Sequence, residues 1–115
     1  MNGPMKNIPK AEVVKLKEQV AYQEGQVVSR TLAQNQAVSV TLFAFAQGEE
    51  ISTHDSIGDA MVTVLEGTGR FTVGGKEHFC HEGEVLVMPA TVPHAVYAPE
   101  PFKMMLTVVF PLEEA

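Results

Sequence analysis

Residues 60–88 read AMVTVLEGTGRFTVGGKEHFCHEGEVLVM, and this stretch decides the fold class. It contains short apolar or alternating runs separated by glycine-containing turns, and those runs are residues 60–66, 70–73, 76–80 and 85–88. The Gly74-Gly75 pair supplies the positive φ angles of a two-residue β-hairpin turn. Several short strands at this close spacing are typical of a β-sandwich or barrel.

Period-two patterns continue the strands on both sides of that stretch. Residues 37–47 alternate between a wholly apolar face and a mixed face, which predicts one long strand. Residues 102–110 alternate in the same way and end at a proline, so they are predicted to form the last strand. Residues 94–97 add a shorter strand between them.

Composition and charge limit the class of protein. The 115 residues carry 14 Asp plus Glu against 8 Lys plus Arg, a formal net charge of −6, and the basic residues are scattered. A chain of this length builds one core, and a nucleic-acid binder needs clustered basic charge. The longest apolar run covers a few residues, far fewer than the roughly 20 that a membrane helix needs. We therefore expect one domain with neither a nucleic-acid partner nor a membrane partner.

The organisation of that single domain also follows from the pattern. Residues 1–36 are predicted to be an N-terminal extension with the first strands, residues 37–110 the barrel core and residues 111–115 an acidic tail. Within the extension, residues 13–20 predict one short strand or a single helical turn. The first twenty residues mix lysine with glutamate rather than forming a signal peptide, and Cys80 has no partner for an intramolecular disulfide. We therefore expect a cytoplasmic protein.

Two segments resemble the signature motifs of the cupin superfamily. The first motif runs Gly, five residues, His-x-His, three or four residues, Glu, six residues, Gly, and residues 48–67 keep its spacing. The second runs Gly, five residues, Pro-x-Gly, two residues, His, three residues, Asn, and residues 83–98 keep that spacing too. The resemblance spans residues 37–110 and is to a small single-domain cupin of the cupin 2 conserved-barrel type. It implies an all-β double-stranded β-helix, that is, a jelly-roll barrel, with a short N-terminal extension.

The resemblance also implies a site at the mouth of the barrel. Typical cupins hold a divalent metal with three His and one Glu, and those positions correspond here to His54, Ser56, Ala60 and His94. A serine hydroxyl is a weak ligand and alanine is none, so the motif is degenerate. If one divalent transition metal (Zn, Ni, Mn or Fe) binds, we expect His54 and His94 to hold it weakly. The predicted ligand pocket consists of His54, Ser56, Ala60, Met88, His94 and Met104.

A second group of potential ligands, His78, Cys80 and His81, does not predict a metal site. On a strand, His78 and Cys80 share one face and His81 points away from it. Free cysteine behaves as a small hydrophobe. We therefore expect Cys80 in the core.

Three functions remain open at this level. The first is a small-molecule-binding protein with the ligand in the barrel pocket. The second is a metal-dependent oxygenase, isomerase or decarboxylase, and the third is a metal-free sugar or small-acid isomerase with His54 or His94 as general base. The loss of two ligands favours the first and the third. Whether the protein is an enzyme stays open, because the site rather than the fold decides the chemistry.

The resemblance to small cupins further implies a homodimer. An open jelly roll leaves strand edges that a second copy would cover. The residues up to about Ala33 are predicted to be the element that the two copies exchange.

Overall fold

The computed structural model describes residues 3–112, and within them the chain forms two antiparallel sheets. A single 3-10 turn at Leu16–Gln19 precedes the first strand. The strands are β1 (Val27–Gln34), β2 (Val38–Phe45), β3 (Glu50–His54), β4 (Asp59–Glu66), β5 (Thr68–Val73), β6 (Lys76–His81), β7 (Val85–Met88), β8 (His94–Tyr97) and β9 (Phe102–Val109). The five-stranded sheet has the order β1-β2-β9-β4-β7, and the four-stranded sheet has the order β3-β8-β5-β6.

This architecture confirms the predicted all-β double-stranded β-helix. Each strand predicted from residue 37 onward has its counterpart, within two residues at either end. The 3-10 turn shows that the helical-turn alternative for residues 13–20 was the right one. Residues 113–115 of the predicted acidic tail lie outside the described residues. Between residues 3 and 112, the structure contains no helix long and apolar enough to cross a membrane.

The inner faces of the two sheets pack on a shared apolar core. In β4 the alternation buries Ala60, Val62 and Val64. Three phenylalanines that are fully buried fill the middle of this core, and they are Phe45, Phe71 and Phe102.

Phe102 joins the two sheets through its ring. It stacks on Phe45 with ring centroids 4.7 Å apart and meets Phe71 of the opposite sheet edge-on at 6.1 Å. Gly69 lies directly against it, since a Cβ at that position would stand 2.7 Å from two ring atoms. The glycine is therefore required for the close approach of the ring.

The N-terminal segment covers part of the outer face of the five-stranded sheet. Val20 packs there with Leu32, Leu42 and Ala44 in a second apolar cluster. Hydrogen bonds fix the segment at both ends, because the Lys6 amide donates to the Leu32 carbonyl oxygen, 2.8 Å away, and further contacts follow near Tyr22. The segment thus gives an outer apolar layer to β1 and β2 and to the adjoining parts of β9 and β4.

Tyr22 anchors the end of that segment next to β1. Its hydroxyl donates a hydrogen bond to the Glu66 carboxylate at 2.6 Å. Burial, and then this hydrogen bond, raise the pKa of the Tyr22 phenol above its usual value. Lys103 lies over the Tyr22 ring, 4.8 Å from its centroid, and donates to the Lys17 carbonyl oxygen at 2.7 Å.

The first prediction concerns the aromatic core. Replacing Phe102 by alanine is expected to lower the free energy of unfolding by about 3–5 kcal/mol, because it removes a fully buried ring and leaves a cavity. Val13→Ala is the matched control, since Val13 is 101% exposed and its loss should change stability by less than about 0.5 kcal/mol. Denaturant unfolding followed by circular dichroism measures both. Equal stabilities of the two variants would contradict the central role of Phe102.

Candidate functional site

Four residues form one cross-strand row at one end of the four-stranded sheet. In the strand register, His54 of β3 lies opposite His94 of β8, His94 lies opposite Val73 of β5, and Val73 lies opposite Lys76 of β6. Directly opposed residues of antiparallel strands point to the same face. Val73 packs against the inner core. The row therefore lies on the face of this sheet that is directed into the sandwich.

A register shift in β3 brings His54 into this row. Ile51 lies opposite Val96 and His54 lies opposite His94, so three steps on β3 match two steps on β8. Regular alternation would place Ile51 and His54 on opposite faces of the sheet. The extra residue of the bulge keeps both on the inner side.

His54 and His94 touch through their Nε2 atoms, which are 3.1 Å apart. The two rings meet edge to face, with centroids 4.3 Å apart and an interplanar angle of 68°. His94 is 4% exposed, whereas His54 reaches the surface. One ring of the pair is therefore buried, and the other is in contact with solvent.

The other ring nitrogens fix the tautomer of each histidine. Nδ1 of His54 lies 2.8 Å from the Ser52 carbonyl oxygen, and Nδ1 of His94 lies 3.1 Å from the Val92 carbonyl oxygen. A carbonyl oxygen only accepts, so each Nδ1 carries a hydrogen and each neutral ring presents a lone pair at Nε2. We assign these tautomers from the hydrogen-bond network. Two lone pairs that converge in this way attract a metal cation or a proton donor.

The spacing of the two Nε2 atoms suits two neighbouring ligands of one metal ion. With metal–nitrogen bonds of roughly 2.0–2.1 Å, a separation of 3.1 Å corresponds to an angle of about 95–102° at the metal. This angle lies between the octahedral and tetrahedral values. The residues present therefore fit a metal that takes two imidazoles from the protein.

Ser56 and Ala60 add no strong ligand to the pair. The Ser56 hydroxyl accepts a hydrogen bond from the Gly58 amide at 3.2 Å, and the Ser56 carbonyl oxygen accepts one from the Thr91 amide at 2.7 Å. Ala60 is 2% exposed in the core. In the part of the chain from residue 3 to residue 112, no group of three or more His, Cys, Asp or Glu side chains could hold a metal ion. The remaining coordination positions would fall to water or to a ligand.

The predicted pocket residues lie in two different environments. His54 and His94 stand at the end of the barrel, whereas Ala60, Met88 and Met104 are at most 2% exposed and belong to the packed core. A cavity of about 480 Å³ lies under residues 19–23 and 28–30. Another, of about 640 Å³, is lined by residues 35–36, Ile57 and residues 110–112. Neither cavity is lined by the histidine pair, so a ligand would reach the pair from outside.

Lys76 is the residue of this row that sequence reasoning missed. The Gly74-Gly75 turn fixes Val73 and Lys76 as directly opposed residues. The pairing of β5 with β8 then places Val73 directly beside His94 and Lys76 one strand further away in the same row. The turn is visible in the sequence, but the neighbour of β5 on its other side is not.

His78 and Cys80 lie on the inner face of β6, whereas His81 lies on its other face. Cys80 is 4% exposed in the inner core. Nδ1 of His81 lies 2.9 Å from the Thr68 hydroxyl oxygen, and His81 is exposed. Burial, with a smaller contribution from the Glu84 carboxylate, raises the pKa of the Cys80 thiol.

The second prediction concerns this thiol. Because its pKa is raised and it is buried, Cys80 stays protonated near neutral pH and should react with an aromatic disulfide reagent only as fast as the protein opens. We expect denaturant to accelerate the reaction in parallel with unfolding. Cys80→Ala should leave the binding of Ni²⁺ or Zn²⁺ unchanged in titration calorimetry. Rapid labelling of the native protein, or loss of metal binding in the variant, would contradict this interpretation.

Comparison with known proteins gives the family match. The family model described as the cupin domain matches residues 41–110. No protein of curated function matches the chain.

Three solved structures resemble this chain closely. A conserved protein of unknown function from Streptococcus pyogenes is 42% identical with a TM-score of 0.94, and the match covers 97% of this chain and 98% of that one. A cupin superfamily protein from Desulfitobacterium hafniense is 30% identical with a TM-score of 0.90, covering 95% of this chain and 100% of that one. A cupin 2 conserved barrel domain protein from Leptotrichia buccalis is 44% identical with a TM-score of 0.80, covering 82% of this chain and 46% of that one.

Proposed function

The chain belongs to the cupin domain family, and on that premise we propose that it binds a small molecule at the mouth of its barrel, beside a weakly held divalent metal ion. His54 and His94 are the protein's ligands to that ion. The observation that carries the proposal is the 3.1 Å approach of their two Nε2 atoms, with both Nδ1 atoms bound to backbone carbonyl oxygens.

The histidines are held in position by the backbone. Ser52 belongs to β3 itself, and Val92 lies in the loop that leads into β8. Bonds of this kind orient a ligating imidazole and fix its tautomer. Binding of an ion thus requires little rearrangement, although the protein supplies only two ligands.

The histidine pair sets how a ligand would meet the metal ion. A divalent ion bound there supplies positive charge that polarises an oxygen atom of the ligand. His94 closes the inner side of the site, whereas His54 borders the solvent. The ligand therefore approaches past His54 and takes coordination positions that the protein leaves open.

A metal-free small-acid or sugar isomerase is the alternative function. The same observation supports it, because a neutral Nε2 lone pair directed into the site can accept a proton from a ligand. Removal of metal separates the two proposals, since only the metal-assisted site should lose ligand binding when a chelator is present.

The third prediction tests the metal pair. His54→Ala and His94→Ala should each weaken the binding of Zn²⁺, Ni²⁺, Mn²⁺ or Fe²⁺ at least about tenfold, because each removes one of two protein ligands. Binding should also weaken on acidification, since a protonated imidazole has no lone pair for a metal. Titration calorimetry on metal-free protein measures both effects.

The control for this experiment is His81→Ala, which removes an exposed imidazole bound to Thr68 and should leave metal affinity unchanged. Variants of His54 and His94 that bind as tightly as the parent would place the ligands elsewhere. One equivalent of metal that survives prolonged chelation would show that the protein supplies more ligands than the pair.

We further propose that the protein is a homodimer. The N-terminal segment covers the outer face of β4 near Leu65 and Glu66 but not at Met61, where β4 adjoins β7, and β7 is an edge strand. Met61 and Val87 lie opposite each other on this face and are 38% and 53% exposed. Val85, two residues before Val87 on the same face of β7, is 56% exposed. Pairing with a second copy would cover these side chains together with the strand edge.

The fourth prediction follows from this open face. Light scattering at micromolar concentration should give about twice the 12.5 kDa mass of the chain. Replacing Val85 and Val87 together by lysine should shift the protein to the monomer, because charge on an edge strand opposes pairing. Thr72→Lys, on the other sheet, is the control and should remain dimeric. A monomeric parent would refute the proposal, and a dimeric double variant would move the interface to another surface, such as the exchange of residues up to Ala33.

A cytoplasmic location completes the proposal. Cys80, the one cysteine of the chain, is a free thiol in the core. A fold that needs no disulfide suits a reducing compartment.

A further inference from the structure

We propose that Lys76 is the anion-binding residue of this site and that the ligand is a small dicarboxylate. One carboxylate is bound by the Lys76 ammonium group, and the other reaches the His54–His94 pair. The inference rests on the proposed function for the second contact but not for the first. It adds to the site a residue and a ligand class that the histidines alone do not define.

The strand register places Lys76 on the same face as the histidines. Lys76 lies opposite Val73, and Val73 lies opposite His94, so the three residues follow one another in a row across β6, β5 and β8. The inner residues of β6 continue this face, because Cys80, four residues after Lys76, is buried in the core. The two-residue turn between Val73 and Lys76 has φ angles of +56° and +82°, which suit a tight hairpin and fix this pairing.

Charge singles out Lys76 within the row. It is exposed and forms no ion pair with any of residues 3–112. Its neighbour Glu77 points to the other face of the sheet, where its carboxylate lies 3.9 Å from Arg70. The whole chain carries a net charge of −6. An exposed cation without an ion-pair partner, in the same row as the histidines of an acidic protein, favours an anionic ligand.

The spacing in the row defines the shape of that ligand. His94 and Lys76 are separated by two strand spacings, about 9–10 Å between their backbones. The apolar side chain of Val73 lies between them. A ligand that spans the row therefore has two polar ends and a short apolar middle. One ammonium group matches the single charge of a carboxylate better than the charge of about −2 on a phosphate.

An inward-facing lysine on an edge strand also has a structural use, because it discourages pairing with another edge. β6 is such an edge strand. The two roles differ in what a substitution changes. Loss of edge protection alters aggregation, whereas loss of an anion site alters the preference between ligands with one and two carboxylates.

The experiment compares glutarate with butyrate by titration calorimetry, on Ni²⁺-loaded and on metal-free protein. The parent should bind glutarate about tenfold more tightly than butyrate, since the second carboxylate gains one charge-assisted hydrogen bond. Lys76→Met should reduce this ratio to about one, while Lys76→Arg should retain a preference. Lys15→Met is the matched control, because it removes the same charge from the exposed Lys15 of the N-terminal segment. Succinate and adipate then locate the optimum length.

The outcomes distinguish the anion-binding role of Lys76 from the proposed role of the histidine pair and from edge protection. An unchanged ratio in Lys76→Met, no preference in the parent, no binding of any carboxylate, or tighter binding of inorganic phosphate than of glutarate would overturn the role of Lys76. If His54→Ala and His94→Ala retain the full glutarate affinity while Lys76→Met loses it, the anion site stands and the proposed role of the histidine pair fails. Aggregation of Lys76→Met with an unchanged ratio would assign the lysine to edge protection.

Discussion

The ring of Phe102 is the contact on which the two sheets close. It comes from the first residue of β9, a central strand of the five-stranded sheet, and meets Phe71 of the other sheet. The ring fits because Gly69 has no Cβ where the strands approach. Any side chain there would push β5 away from β9, and β5 carries the pairing with both β6 and β8. The position of the row of His54, His94, Val73 and Lys76 therefore depends on the packing of Gly69 at the other end of β5.

The filled interior also determines where chemistry can occur. Ala60, Met88 and Met104 point into the sandwich, but they are packed with the aromatic rings and are almost inaccessible to solvent. The histidines and Lys76 occupy the end of the four-stranded sheet where β3 ends and β8 begins. A ligand bound at this end would therefore meet a shallow site that runs across the strands of one sheet rather than a deep tunnel. The apolar core beneath it serves as a rigid floor.

Period-two patterns and glycine turns were sufficient to predict an all-β sandwich or barrel, because each strand after residue 37 except β3 carries its own signal, and the motif resemblance specified the double-stranded β-helix. The site was predicted less completely. Motif spacing led to His54 and His94, whose contact depends on a bulge in β3 that adds one residue to the strand. Whether Met88 and Met104 line a pocket or fill the core depends on depth between the sheets, which the alternation of residues along one strand does not reveal. Lys76 was missed because it joins the row of His94 only through the pairing of β5 with both β6 and β8, and the sequence does not specify that β5 pairs with β8.

The replacement of a carboxylate position by Ala60 changes the electrostatics of the mouth as well as the number of ligands. A metal held by two neutral imidazoles keeps its full double positive charge, whereas a glutamate ligand would cancel half of it. Lys76 adds a further positive charge along the same row. Neither charge is balanced by a carboxylate in that row, although the protein as a whole is acidic. With a metal ion bound, the row would carry three positive charges, and a ligand with a carboxylate at each end would balance two of them, whereas a neutral sugar or an apolar molecule would balance none.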